Sequence, residues 1–274
     1  MNAEDALRQG DPEAALRELQ AAVRKSPGDA KLRVFLFQLL AVTGAWDRAL
    51  AQLNVAAELD AGALGMAATY RGAVQSEPLR ERIFRGDCDP LVFGPPQRWI
   101  ALLVEALRVE GRGDIAQAQR LRSEAFESAP AIPGQIDGVA FAWIADADQR
   151  LGPVLEGIIN GRYSWIPYMH VSRIRVEEPV DLRDLVWAPA EVTWNNGGES
   201  VVLIPVRYPG SATSGDSRLT LARRTEWIES GEGSFHGLGQ RMLATDVDEY
   251  PLLEVREISL QPPLADVGGE TSDG

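Results

Sequence analysis

The chain has 274 residues, 45% of them hydrophobic and 24% charged, with a formal net charge of -13. That length and composition suit a globular protein of one or two domains and exclude collagen-like, coiled-coil and wholly disordered classes. The charge is uneven: residues 1–134 hold 16 Lys and Arg against 18 Asp and Glu, whereas residues 135–274 hold 11 against 22. An acidic surface repels phosphate, so nucleic acid and anionic membrane are poor partners and a basic protein surface is a better one. The opening MNAEDALRQG is acidic and polar, unlike a signal peptide, and no apolar run approaches 18 residues. The expected location is the cytoplasm, where the lone Cys88 has no disulfide partner within the chain.

The first organised feature is an internal repeat. Gly10-Asp11, Ala15-Leu16, Leu19, Ala22 and Pro27 recur 34 residues on as Gly44, Ala49-Leu50, Leu53, Ala56 and Ala61, and again as Gly113-Asp114, Ala118, Ala125-Phe126 and Pro130. Each glycine fits a helix end that needs a left-handed residue, the alanines let two helices approach closely, and the proline closes the second helix. A period of 34 with these positions resembles the tetratricopeptide repeat. The first copy lacks most of its first helix. The stretch 62–98 is degenerate: helical from Met66 to Arg85, then a loop, Gly86-Asp87-Cys88-Asp89-Pro90.

Such helix pairs bury their apolar faces by stacking, which produces a concave groove suited to a partner's peptide or helix. The first helix of each pair lines that groove, which implicates Lys31, Val34, Gln38, Ala41, Ile100, Leu103 and Leu107, with Tyr70, Arg71 and Val74 from the degenerate copy. Core packing is the competing role for each apolar member.

After Pro133-Gly134 the period changes. Residues 137–157 read as a leading helix, with Phe141, Ile144, Leu151 and Leu155 apolar. Beyond it, short runs with turn residues predominate: a hairpin around Asn160-Gly161, a strand over 172–176, and a second hairpin around Asn195-Asn196-Gly197-Gly198. Edge strands are expected at 220–221 and 225–228, glycine-rich loops at 209–217 and 230–239, and a closing strand over 252–260 with Leu253, Val255 and Glu257 on one face. The fold class is therefore α+β: a tetratricopeptide-like helical superhelix over 1–134, a small β-rich, barrel-like domain over 135–260 with a leading helix, and a disordered tail over 261–274. Most of Trp165, Tyr168, Trp187, Trp194, Tyr208 and Trp227 are expected in the β-rich core.

Catalytic constellations are scarce. His170 and His236 are the only histidines, no GxSxG elbow exists, and Ser234 beside His236 lies in a glycine-rich run where adjacent residues seldom face each other. Asp146 and Asp148, placed on the leading helix, would point to different sides and cap, pair with Arg150 or face water. Gly237-Leu238-Gly239 lacks the lysine of a phosphate loop, and no metal-ligand spacing surrounds Cys88. No cofactor or metal is expected, and the chain reads as a binding protein rather than an enzyme.

Several longer runs carry a resemblance: 29–40 (DAKLRVFLFQLL), 52–60 (QLNVAAELD), 143–148 (WIADAD), 150–153 (RLGP), 160–163 (NGRY), 181–187 (DLRDLVW), 205–210 (PVRYPG) and 239–243 (GQRML). In this order, over roughly residues 5–260, they resemble the ImpE/SciE/TagJ family, accessory proteins of bacterial type VI secretion systems. The resemblance implies a helical-repeat domain followed by a β-rich one. It also implies a partner, the small sheath subunit TssB, and a link to ClpV, the ATPase that disassembles contracted sheath. It carries over no catalytic residue. A general adaptor or chaperone that holds helical peptides is the alternative.

Overall fold

Helices α1 (Ala3–Arg8) and α2 (Pro12–Lys25) form the first pair, α3 (Ala30–Val42) and α4 (Trp46–Leu59) the second, and α6 (Arg98–Gly111) and α7 (Ile115–Ser128) the last; between them runs one long helix, α5 (Leu64–Phe84). The computed structural model describes residues 2–231 and 233–261. Gly10, Gly44 and Gly113 all take positive φ, at 80°, 70° and 89°, so the repeat glycines do turn the chain between paired helices. Asp11, Asp29 and Asp114 cap the helices that follow them, accepting from the backbone N–H of Ala14, Leu32 and Gln117. Ala15, Ala49, Ala56, Ala118 and Ala125 are fully buried where the helices touch.

The β-rich half contains an eight-stranded antiparallel sheet. Its strands are β1 (Gly134–Ile136), β2 (Val139–Phe141), β4 (Val154–Ile159), β5 (Arg162–Pro167), β6 (Val171–Val176), β7 (Trp187–Trp194), β8 (Glu199–Pro205) and β13 (Glu257–Leu260), in the spatial order β2-β1-β13-β6-β7-β8-β4-β5. Strands β2 and β5 stand at opposite ends, so the sheet is open. Strands β3 (Ile144–Asp146), β11 (Met242–Thr245) and β12 (Glu249–Pro251) form a second sheet, and β9 (Thr225–Gly231) pairs with β10 (Ser234–Gly239) as a ribbon. Both expected hairpins are present. Asn160 and Gly161 take φ of 50° and 75° between β4 and β5, the geometry of a tight right-twisting turn.

Four expectations need correction. The leading helix over 137–157 is replaced by β2, β3 and the start of β4. Positive φ at Asp137, Gly138 and Gly152, followed by Pro153, breaks any helix there, and pairing of β1 with β13 and of β3 with β11 prevails over a coincidental helical spacing. The edge strand at 220–221 is instead the end of a short helix, α8 (Ser217–Thr220). The loop at 230–239 is mostly β10, whose glycines are needed for close packing: a Cβ on Gly237 would lie 2.2 Å from the Tyr208 ring. The closing strand is confined to 257–260, with Ile258 and Leu260 on its buried face; Leu252–Glu254 is a 3-10 turn, and Val255 is buried in the stretch between them. The tail beyond Gln261, expected to be disordered, lies outside the described residues.

The two halves share a core. One continuous cluster joins Phe37, Tyr70, Val74 and Leu103 of the helices to Val154, Tyr163, Trp165 and Trp187 of the sheet. Helix α5 rests directly on the β4–β5 turn, where a Cβ on Gly72 would come within 2.3 Å of the Gly161 Cα. The loop after α5 then runs along β5: Trp165 N–H donates to the Leu91 carbonyl and Phe93 N–H donates to the Trp165 carbonyl, both at 2.8 Å. This closes the outer edge of β5 to further pairing. A second cluster, including Ile166, Ile174, Val202, Ile204 and Leu243, fills the β-rich half itself.

Candidate partner-binding groove

The residues that the repeat places on the inner face of the array separate into two groups. Ala41, Tyr70, Val74, Ile100, Leu103 and Leu107 are buried, none more than 6% exposed. Trp187 and its neighbours occupy the space a peptide would take. Tyr70 meets Trp187 at 5.9 Å between ring centroids, and Trp46 meets it from another side at 6.0 Å. The inner face is thus largely filled by the chain's own sheet, because its apolar side chains find a partner already covalently attached. Arg71 is exposed and donates to Asn54 Oδ1 at 3.0 Å.

Lys31, Val34 and Gln38 are brought together at the N-terminal end. With Leu7, Phe35 and Leu182 they line an open groove of about 610 Å³. Lys31 is exposed, Val34 half-buried and Gln38 nearly buried. The opposite lip is the segment Val180-Asp181-Leu182. Asp184 fixes it by accepting from the backbone N–H groups of Val180 and Asp181, and Val180 is left 90% exposed. Arg183 stacks 4.9 Å from the Tyr70 ring centre and anchors the lip to the helices. Glu4, Asp60 and Asp181 join Lys31 around the groove, so its charged lining is mainly acidic.

Behind the filled inner face lies a network of buried charge. Arg80 of α5 donates twice to Glu156 of β4, at 2.6 and 2.9 Å, and once to the Arg207 carbonyl at 2.7 Å. Arg241 bridges Glu156 and Asp146, Tyr163 O–H donates to Glu156, and Tyr208 O–H donates to Asp146. Arg207 donates to the carbonyls of Val42 and Thr220, and Trp187 Nε1–H donates to Glu77. Burial raises the pKa of Glu156, but Arg80 and Arg241 outweigh it and hold the carboxyl at about 2. Asp146 goes the other way. Burial, aided by Asp148 and Glu156, exceeds its attraction to Arg241 and pushes it up to about 6. Spacing does not reveal this network: Asp146, Tyr163, Arg207, Tyr208 and Arg241 lie within the quoted runs, Arg80 and Glu156 lie outside them, and nothing local marks a partner some 60–100 residues away.

The enzymatic candidates assemble differently from a catalytic relay. His236 Nε2 meets Glu110 Oε1 at 2.7 Å and Ser230 Oγ at 3.2 Å. A relay needs the carboxylate and the nucleophile on opposite ring nitrogens, whereas here one nitrogen serves both. Ser234 is buried against Ser230 and Arg122. Asp146 and Asp148 sit on β3 and the turn after it, and Asp148 does pair with Arg150, at 2.5 Å. Among the described residues no three His, Cys, Asp or Glu side chains gather as a metal site would require. No described helix is long and apolar enough to cross a membrane.

The sequence is 50% identical over 262 residues to a protein of Pseudomonas aeruginosa described as type VI secretion system accessory component TagJ, a match covering 96% of this chain and 92% of that one. The chain belongs to the ImpE/SciE/TagJ family. Residues 138–259 match the ImpE protein family, and residues 6–68 match the tetratricopeptide repeat. The crystal structure of protein VPA1032 from Vibrio parahaemolyticus superposes with a TM-score of 0.87 at 24% identity, covering 96% of this chain and 98% of that one, so it has the same fold. The ImpE match spans Asp146, Glu156, Arg207 and Arg241, the β-rich side of the buried network.

Proposed function

We propose that this chain is a non-enzymatic accessory component of a bacterial type VI secretion system, working in the cytoplasm. It binds a helical segment of the small sheath subunit TssB and is thereby linked to ClpV-dependent sheath disassembly. The kinship to TagJ supports the secretion system. The observation that carries the binding site is the asymmetry of the array: its inner face is filled by Trp187 and Tyr70, while Lys31, Val34 and Gln38 still line open space. Apolar Leu7, Phe35 and Leu182 would receive one face of a partner helix, Lys31 would pair with an acidic residue of that helix, and Glu4, Asp60 and Asp181 favour basic residues farther along it.

Calorimetric titration with the intact sheath subunit and with overlapping peptides tests this. One short helical peptide should saturate the site, and Val34→Asp or Lys31→Glu should weaken it at least tenfold, about 1.4 kcal/mol. Unchanged affinity in both variants would remove the groove assignment. No binding of the intact subunit would remove the partner. Similar binding of many unrelated helices would favour a general adaptor.

A further inference from the structure

A second groove lies on the other side of the molecule, between the end of α7 and strands β3 and β11. It encloses about 430 Å³ and is lined by Phe126, Pro130, Trp143, Ile144, Pro153 and Ala244, among others. The Phe126 and Trp143 rings are 37% and 39% exposed. A lone exposed ring is ordinary; two rings sharing one groove with two prolines are not. Phe126 is also held in place: its edge lies 2.3 Å from where a Cβ on Gly152 would stand, and Gly152 takes φ +56°, so the backbone is shaped to receive the ring. The one charged side chain in the lining, Asp146, has its carboxylate engaged by Arg241 and Tyr208.

The surroundings have a single sign. The segments that build the groove, 126–153 and 242–251, carry exposed Glu127, Asp246, Asp248 and Glu249. Their one base, Arg150, is buried against Asp148. Arg98, which reaches α7 from α6, is paired with Glu124. We infer that this groove docks an extended, proline-containing segment of another protein, with Lys or Arg flanking its apolar anchor. Flat aromatic faces beside prolines suit the pre-extended proline-rich conformation, whose ordering costs little entropy. The acidic surroundings steer and select basic flanks. Residues 262–274 of the chain itself carry Asp266, Glu270 and Asp273 and no base, so charge disfavours them as the occupant.

The test uses the full chain and two labelled synthetic peptides, read by fluorescence anisotropy. Both have the core proline-proline-leucine-proline; one is flanked by paired lysines, the other by paired glutamates. The lysine-flanked peptide should bind at least tenfold more tightly, and its affinity should fall as salt rises from 50 to 300 mM on the order expected for screened charge. Trp143→Ala and Phe126→Ala, both at exposed rings, should each weaken it at least about tenfold with an unchanged circular dichroism spectrum. Glu127→Lys with Asp248→Lys should lower it severalfold. Equal binding of the two peptides, binding that survives both ring substitutions, or no binding of either overturns the inference. So does binding that emerges only after residues 262–274 are removed, which would make the chain its own ligand.

Discussion

The inner seam of the helical array and its N-terminal end begin from the same repeat and finish as opposites. At the seam, Tyr70 and Val74 of α5 and Leu103 of α6 are buried in one cluster with Trp165 and Trp187 of the sheet, and the charges behind it, Arg80, Glu156 and Arg241, are all buried. At the N-terminal end, α3 presents Lys31 and Val34 to a groove the sheet only borders, and the charges there are wet. The difference teaches that a repeat's inner face is a site only where the rest of the chain has not already occupied it. The seam should therefore govern stability and the end should govern binding, and the following measurements separate the two.

The largest effect should come from Arg241→Leu, which leaves Asp146 and Glu156 buried with one cation removed from between them. Breaking a buried ion pair in this way costs about 3–5 kcal/mol, read as the shift in midpoint of urea unfolding. Acid should act on the same network. Glu156 is held at about 2 in the folded chain against an ordinary 4.5, as is Glu110, which lies outside this network against Arg122 and His236. Between those values the unfolded chain binds more protons, so stability falls as pH drops from about 4.5 to 2, by about 3 kcal/mol for each group. Asp146 has the opposite sign: its folded value of about 6 lies above the ordinary 3.8, so the folded chain binds more protons between them and stability falls as pH rises through that window. A thermal-unfolding series should thus show a modest gain from Asp146 on going from pH 7 to 5, opposed in part by His170, whose burial lowers its pKa, and a steep loss below 4. Asp146→Asn should abolish the gain and leave the loss.

Gly72→Ala comes next. Its Cβ would meet the Gly161 backbone at 2.3 Å, where no flexible side chain can give way, so α5 must lift from the β4–β5 turn. Overpacking of this kind costs about 1–3 kcal/mol. Gly65→Ala, in the same helix with nothing within 4 Å, is the control and should be neutral or slightly stabilising.

What could be read in the sequence follows the range of the interactions. The repeat glycines, the capping aspartates and the Asn160-Gly161 turn act over a few residues, and each is visible as a local pattern. The expected leading helix fails for the same reason: Phe141, Ile144, Leu151 and Leu155 are spaced like a helix face, while the pairing of Gly134 with Leu260 that decides the matter spans more than a hundred residues. Tyr70, Val74 and Leu103 stand at helical spacing in the sequence, but nothing in 1–134 announces that they will share a core with Trp187. Family runs such as GQRML carried a resemblance without a reason, and the structure supplies one for Arg241.

The smallest effects should be at the open end. Lys31→Glu and Arg71→Ala alter exposed side chains, and among the described residues Arg71 donates only to the Asn54 amide oxygen. Each should change stability by no more than about 0.5 kcal/mol. Their value lies in how they part: Lys31 lines the groove and Arg71 does not. If both leave the unfolding midpoint in place but only Lys31→Glu weakens the partner, binding and folding are carried by different ends of one array. If Arg71→Ala weakens it equally, the partner reaches over the outer surface of α5 as well, and the boundary between the two regions moves from the sheet's edge to the far side of the helices.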